Sequence, residues 1–363
     1  MTAVTRADVE TALKGYVDPY LEQDLVSAKS LRRIQTENGR IELDVELGFP
    51  AAGYRDALVV ALRERLANLP GVTDIVIRLE SKIISHEVQR GLKPLPGVKN
   101  VVAVASGKGG VGKSTTAVNL ALALSLEGAQ VGLLDADIYG PSQPRMLGSQ
   151  DRPTSPDGKS LNPVIRYGIQ SMSIGYLIEE ETPMVWRGPM VTQALEQLLR
   201  DTRWEALDYL VIDLPPGTGD TQLTLSQKVP VSGAIIVTTP QDIALLDARR
   251  GLKMFEKVEI PVLGIVENMS LHICSKCGHE EHIFGEGGGQ RMAADYNVPF
   301  LGTLPLDIRI REETDNGQPT VIAEPDSRIA GLYRDIARRT AARLSLQAKN
   351  YSHKFPNIVI QST

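Results

Sequence analysis

From residue 101 onward the chain alternates short runs of consecutive apolar residues with stretches whose apolar positions recur every three or four residues. The runs are 101–105, 131–134, 169–174, 209–212, 234–238, 262–266 and 300–304. Unbroken apolar runs indicate strands buried on both faces, and the intervening helical patterns supply the cover. The pattern therefore predicts an α/β domain, a mostly parallel sheet with helices on both faces. In such sheets ligands bind beyond the carboxyl ends of the strands, so the residues just after each run are the ones to read for chemistry.

The first eighty residues have a different pattern. A helical stretch over 5–16 (Val9, Leu13, Tyr16) stops at Asp18-Pro19. Alternating residues 30–36 and 40–47 flank Asn38-Gly39, a hairpin signal. A helix over 54–69 carries Leu58, Leu62, Leu66 and Leu69, and Pro70-Gly71 separates it from a third strand over 72–79. This predicts a small α+β domain over residues 1–81 that precedes the larger one. It holds no histidine or cysteine, which suits docking better than catalysis. Proline and glycine gather at 82–98 as in a linker, the second domain runs over 99–346, and 347–363 is a polar extension. The last helix, 326–346, has a narrow apolar stripe (Ile329, Leu332, Ile336, Leu344) interrupted by Ala337 and Ala341, so it is expected to dock on the sheet and not on a membrane.

Chemistry enters at the first run. Gly107-Lys108-Gly109-Gly110-Val111-Gly112-Lys113-Ser114-Thr115 lies between strand and helix and fits the phosphate-binding loop in full. Its backbone N–H groups and the helix start converge on phosphate oxygens, Lys113 reaches the β/γ-phosphates, and Ser114 ligates Mg²⁺. Asp135 and Asp137 follow the second run, leading into Ile138-Tyr139-Gly140-Pro141-Ser142; Asp135 is expected near the metal and Asp137 at the attacking water. Asp213 ends the 209–212 run as a Walker B carboxylate in the magnesium shell, and Leu214-Pro215-Pro216-Gly217-Thr218-Gly219-Asp220 reads as a nucleotide switch. Asn268, after the 262–266 run, is a candidate for a nucleobase edge. Trp186 and Arg187 stand in a conspicuous loop that suits packing and capping as well as a partner.

The only two cysteines form Cys274-Ser275-Lys276-Cys277, and three of the five histidines (His272, His279, His282) lie close by. One C-x-x-C pair supplies half of a four-thiolate site. Three readings are open: zinc within one chain, a redox dithiol, and an iron-sulfur cluster shared by two chains. The glycines of Phe284-Gly285-Glu286-Gly287-Gly288-Gly289 are read as a hinge for such a site. Net charge of −5 argues against a nucleic-acid partner, and the absence of a long apolar run or leader pattern points to the cytoplasm.

Taken together, these motifs resemble the Mrp/ApbC iron-sulfur carrier ATPases, within the deviant-Walker class that includes MinD and ParA. The resemblance covers roughly residues 98–345. The first domain is similar to metal-sulfur cluster assembly domains, Asp18-Pro19 included, without the cysteine that some of those carry. The resemblance implies ATP as the nucleotide and a catalytic Lys108 that reaches the partner subunit's nucleotide. It also implies a homodimer holding a labile 4Fe-4S cluster on Cys274 and Cys277 of two subunits, for delivery to apo iron-sulfur proteins with cluster assembly factors as partners. A positioning or partition ATPase with a structural zinc knuckle is the alternative.

Overall fold

The computed structural model describes residues 4–178, 188–274 and 276–349. The Trp186-Arg187 loop and the extension from residue 350 lie outside the described residues.

The N-terminal domain consists of α1 (Arg6–Lys14), β1 (Leu31–Glu37), β2 (Arg40–Leu47), α2 (Arg55–Ala67) and β3 (Asp74–Ser81). β1 and β2 pair antiparallel around Asn38 and Gly39, whose φ angles of +50° and +82° give the hairpin turn that matches strand twist. β3 then joins β2 in parallel. Leu58, Leu62 and Leu66 of α2 are buried with Ile41, Leu43 and Val45 of β2, which is the core the spacing predicts.

The second domain opens with β4 (Val98–Ala105), α3 (Lys113–Leu126), β5 (Val131–Asp135), α4 (Gln143–Met146), β6 (Val164–Arg166), β7 (Ile169–Ser173) and α5 (Gly188–Arg200). It continues through β8 (Leu207–Asp213), α6 (Asp220–Lys228), β9 (Gly233–Thr238), α7 (Asp242–Lys257), β10 (Val262–Glu267) and the two-residue strands β11 (His272–Ile273) and β12 (Glu280–Glu281). It closes with α8 (Gly288–Asp295), β13 (Phe300–Thr303), α9 (Ile308–Asp315), α10 (Thr320–Ala323) and α11 (Arg328–Ser345). Its eight-stranded sheet has the order β13-β10-β9-β4-β8-β5-β7-β6. All seven apolar runs are strands of this sheet, and they pair in parallel. The pattern does not reveal β6, a three-residue antiparallel edge with only Val164 buried. Because the chain builds outward from β4 on one side and then the other, the ends of β4, β8, β5 and β7 stand side by side.

α11 docks as expected. Ile329, Tyr333, Ile336 and Leu344 are buried, as are the two alanines that interrupt its stripe, whose small side chains let α11 lie close against α3. Among the described residues no helix is long and apolar enough to cross a membrane.

The two domains meet through a buried polar cluster. Glu127, the C-cap of α3, accepts from Gly53 N (2.9 Å) and from Arg338 Nη2 (2.6 Å), while Arg338 Nη1 donates to Tyr20 Oη (2.9 Å) and Tyr20 donates to Asp335 (2.8 Å). Asp18 is fully buried; it accepts from the N–H groups of Tyr20 and Leu21 and from the hydroxyl of Tyr54, which fixes the turn after Pro19. The segment between the domains is also fastened. His86 is buried against Asn100, and Gln89 donates to Ser226 O and Val229 O at the end of α6 and accepts from Val231 N.

Candidate functional site

The loop after β4 depends on glycine at two points. A Cβ on Gly107 would stand 2.2 Å from the Asp247 backbone, and one on Gly112, at φ +81°, would stand 2.1 Å from Asn268 Nδ2. Gly112 is the N-cap of α3, so the left-handed residue turns the loop into the helix whose first residues are Lys113, Ser114 and Thr115. The loop is tied to the next motif at its base, where Gly217 N donates to Ser106 O (2.9 Å). Gly109 and Gly110 are exposed, as is Lys108, whose carbonyl accepts from Ser106 Oγ (2.9 Å).

Three strand ends bring the polar cluster together. Asp135 of β5 sits opposite Asp213 of β8 on one side and Ser173 of β7 on the other. Asp213 is fully buried and forms an ion pair with Lys113, which also donates to Ser114 Oγ (3.2 Å). Burial, and then the charge of Asp213, push the Asp135 carboxyl well above its ordinary range. Burial likewise raises Asp137, against the pull of Lys113, and Asp137 is only partly covered.

Two of the expected site residues also carry structural hydrogen bonds in this setting. Asp135 Oδ2 accepts from Ser142 N (3.0 Å), Gln143 N (3.1 Å) and Ser173 Oγ (3.0 Å), so it first of all folds the loop over 137–143, whatever it lends to a metal. Asn268 is buried; its Nδ2 donates to Val111 O (2.9 Å) and its Oδ1 accepts from Met269 N (2.9 Å), so its observed role is to brace the phosphate loop. One N–H and one lone pair remain on the amide for a ligand.

Gln143 was not singled out by the sequence reading. It is buried, donating from Nε2 to Asp213 Oδ2 (2.9 Å) and to Ser114 O (3.1 Å). The available signal was its position, immediately after Ser142 in the motif that Asp135 opens. Its Oε1 and the neighbouring Ser142 Oγ are buried with no hydrogen-bond partner among the described residues. Buried orphan acceptors beside two carboxylates suit the water shell of a cation.

The cysteines occupy the tip of a hairpin rooted just beyond Asn268. β11 and β12 pair antiparallel, Gly278 N donates to Cys274 O and Cys274 N to His279 O (2.9 Å each), and Gly278 takes φ +71°. The root is held by His272 Nδ1 on Leu306 O (3.0 Å) and His282 Nδ1 on Ser270 O (2.7 Å). Cys277 is exposed and Cys274 partly so. The N–H groups of Lys276 and Cys277, then the Cys277 thiol, pull the Cys274 thiol down toward thiolate. Among the described residues no three His, Cys, Asp or Glu side chains gather as metal ligands. In the glycine run that follows, the last three glycines have a packing role. Gly287 caps α8 at φ +64°, and a Cβ on Gly288 or Gly289 would meet Pro240 O at 2.8 Å or Glu267 Cβ at 3.0 Å, so these glycines allow α8 to pack closely.

A strand, a glycine-rich loop with its lysine at the helix start, and a buried strand-end aspartate paired to that lysine define a P-loop NTPase. Residues 97–341 match the family model described as NUBPL iron-transfer P-loop NTPase, and residues 6–77 match that of iron-sulfur cluster assembly proteins. The chain belongs to this family of iron-transfer P-loop NTPases. It is 50% identical over 345 residues, 95% of its length and 94% of the relative's, to an iron-sulfur cluster carrier protein of Salmonella typhimurium. Among solved structures it is similar to a nucleotide-binding protein from Archaeoglobus fulgidus in complex with ADP, at 36% identity and a TM-score of 0.55, covering 64% of this chain and 90% of that one. The cell division ATPase MinD of Pyrococcus furiosus shares the fold, at 22% identity and a TM-score of 0.50 over 66% of this chain and 97% of that one.

Proposed function

We propose that this protein is a Mg²⁺-dependent ATPase of the cytoplasm that holds a 4Fe-4S cluster between two copies of the chain and delivers it to apo iron-sulfur proteins. The observation that carries this reading is the exposed thiol pair, fixed on a hairpin that grows from the same strand end as Asn268, the brace of the phosphate loop. Two thiols are half of a four-thiolate set, and no nearby side chain completes it within the described residues. A second copy supplies the other half. Exposed Tyr139, Ile243 and Leu246 beside the nucleotide motifs are apolar surface that such a dimer would cover. The positioning-ATPase alternative has only the fold in its favour.

The chemistry follows from the residues in place. The N–H groups of Gly109 to Thr115 and the start of α3 receive the phosphates. Lys113 would turn from Asp213 to the β/γ-phosphates, exchanging one buried ion pair for another. Ser114 and Asp213, with Asp135 behind them, would hold Mg²⁺, which supplies charge neutralisation on the phosphates when bound. Asp137 orients the water, and Lys108 reaches the nucleotide of the partner subunit to stabilise charge on the departing phosphates. The domain boundaries at 81, 98 and 346 leave the first domain for docking.

Anaerobic reconstitution tests the reading. A chain carrying Cys274→Ser and Cys277→Ser should bind neither iron nor sulfide yet keep nucleotide binding; retention of both elements at the parent level would sink the cluster role.

A further inference from the structure

Away from the nucleotide site, and sharing none of its residues, a cleft of 520 Å³ opens where the first domain, the connecting segment and the end of α11 meet. Among the described residues, Lys29, Arg32, Lys82, Lys99 and Lys349 line it against a single acid, Glu46. Glu46 is shared by Arg32 (2.5 Å) and Lys82 (3.7 Å), and Lys99 pairs with Asp208 (2.7 Å). Two acids thus serve three of the five cations. This concentration runs against a chain whose net charge is −5. The C-terminal end of α11 forms one wall and contributes about half a negative charge, too little to offset the excess.

Between the charges the lining is apolar. Leu21 and Ala28 come from the first domain, Ile83 and Ile84 from the connecting segment, and Leu346 from the end of α11. Leu346 is 38% exposed, and the two isoleucines are half-buried. A concave site that combines cations with aliphatic side chains calls for a ligand with both carboxylates and an apolar body.

We propose that this cleft docks an extended acidic segment of a partner polypeptide, in which Asp or Glu residues alternate with aliphatic ones. Charge complementarity selects the acids, and the isoleucine-leucine floor selects the aliphatic residue between them. A nucleic-acid strand fits less well, because the described residues of the lining include no aromatic side chain for base stacking and 520 Å³ holds only a short piece of chain. A membrane fits less well too, since the cations and apolar groups sit in a recess and not on one open face. The connecting segment that supplies Ile83 and Ile84 continues to Gln89, which holds the end of α6. The inference stands apart from the cluster reading and does not need it.

The test uses the full chain and a fluorescein-labelled synthetic peptide of alternating glutamate and leucine, followed by fluorescence anisotropy. Saturable binding is expected, weakened about tenfold or more by Lys82→Glu with Lys349→Glu and by added salt, since two attractions become repulsions. Lys14→Glu with Lys159→Glu makes the same change of net charge elsewhere and should leave binding unaltered. If the double reversal fails to fold, Lys82→Gln with Lys349→Gln serves in its place. No saturable binding, equal loss in the control variant, or a stronger cleft-dependent affinity for a single-stranded oligonucleotide or phosphatidylglycerol vesicles would overturn the proposal.

Discussion

The side-chain amide of Gln143 donates to Asp213 Oδ2 at 2.9 Å, while Lys113 holds the other oxygen of the same carboxylate. Asp213 is therefore fixed from both sides, by the first residue after the phosphate loop and by the loop that Asp135 folds. If the bond steadies Asp213 in the transition state, its loss removes a charge-assisted interaction of about 1.5–3 kcal/mol. Gln143→Leu should then lower ATP turnover about ten- to a hundredfold with little change in nucleotide affinity, and raise the Mg²⁺ concentration needed for half-maximal rate. A merely structural Gln143 would lower melting temperature and leave the Mg²⁺ dependence in place. Steady-state kinetics across a Mg²⁺ titration separates the two.

At the domain junction, Arg338 is the group whose loss should be felt most. Its side chain is 10% exposed and its partner Glu127 only 1%, so Arg338→Ala leaves a buried carboxylate without its cation. Such a break costs about 3–5 kcal/mol, whereas replacing both partners with apolar residues is far milder. Denaturant unfolding should show a large loss for Arg338→Ala and a much smaller one for Arg338→Met with Glu127→Leu. Equal losses would mean that the pair is not what couples the domains.

Acid should loosen the connecting segment through His86. Burial holds its imidazole below the ordinary value of 6.5, opposed by the bond to Asn100. The unfolded chain therefore takes up a proton before the folded one does as pH falls through 6.5. Stability from this group is complete above about 6.5 and declines on acidification until the folded imidazole itself protonates, by up to about 1.4 kcal/mol per pH unit. His86→Gln should flatten that part of the stability profile. An unchanged slope in the variant would assign the decline to other groups.

Much of this was legible in the sequence because it depends on neighbours along the chain. The phosphate loop, the strand-end position of Asp213 and the parallel sheet follow from local spacing and apolar runs. The roles of Gln143, Ser173 and Asn268 do not, since each rests on a hydrogen bond to a residue dozens of positions away. The packing role of Gly288 and Gly289 was hidden for a related reason: without the positions of Pro240 and Glu267, glycine required by close packing looks the same as glycine required by motion. Likewise, Pro and Gly in the connecting segment indicated a linker, and only the contacts of His86 and Gln89 show where it is pinned.

The proposed sharing of one cluster makes the most direct demand on the molecule, because one chain offers only Cys274 and Cys277. The decisive measurement is native mass spectrometry of the anaerobically reconstituted protein, with iron and sulfide determined on the same sample. A dimer carrying one 4Fe-4S cluster, reverting to an iron-free species in Cys277→Ser, is expected. A cluster-loaded monomer, or zinc bound one per chain with no iron uptake, would contradict the sharing of one cluster by two copies.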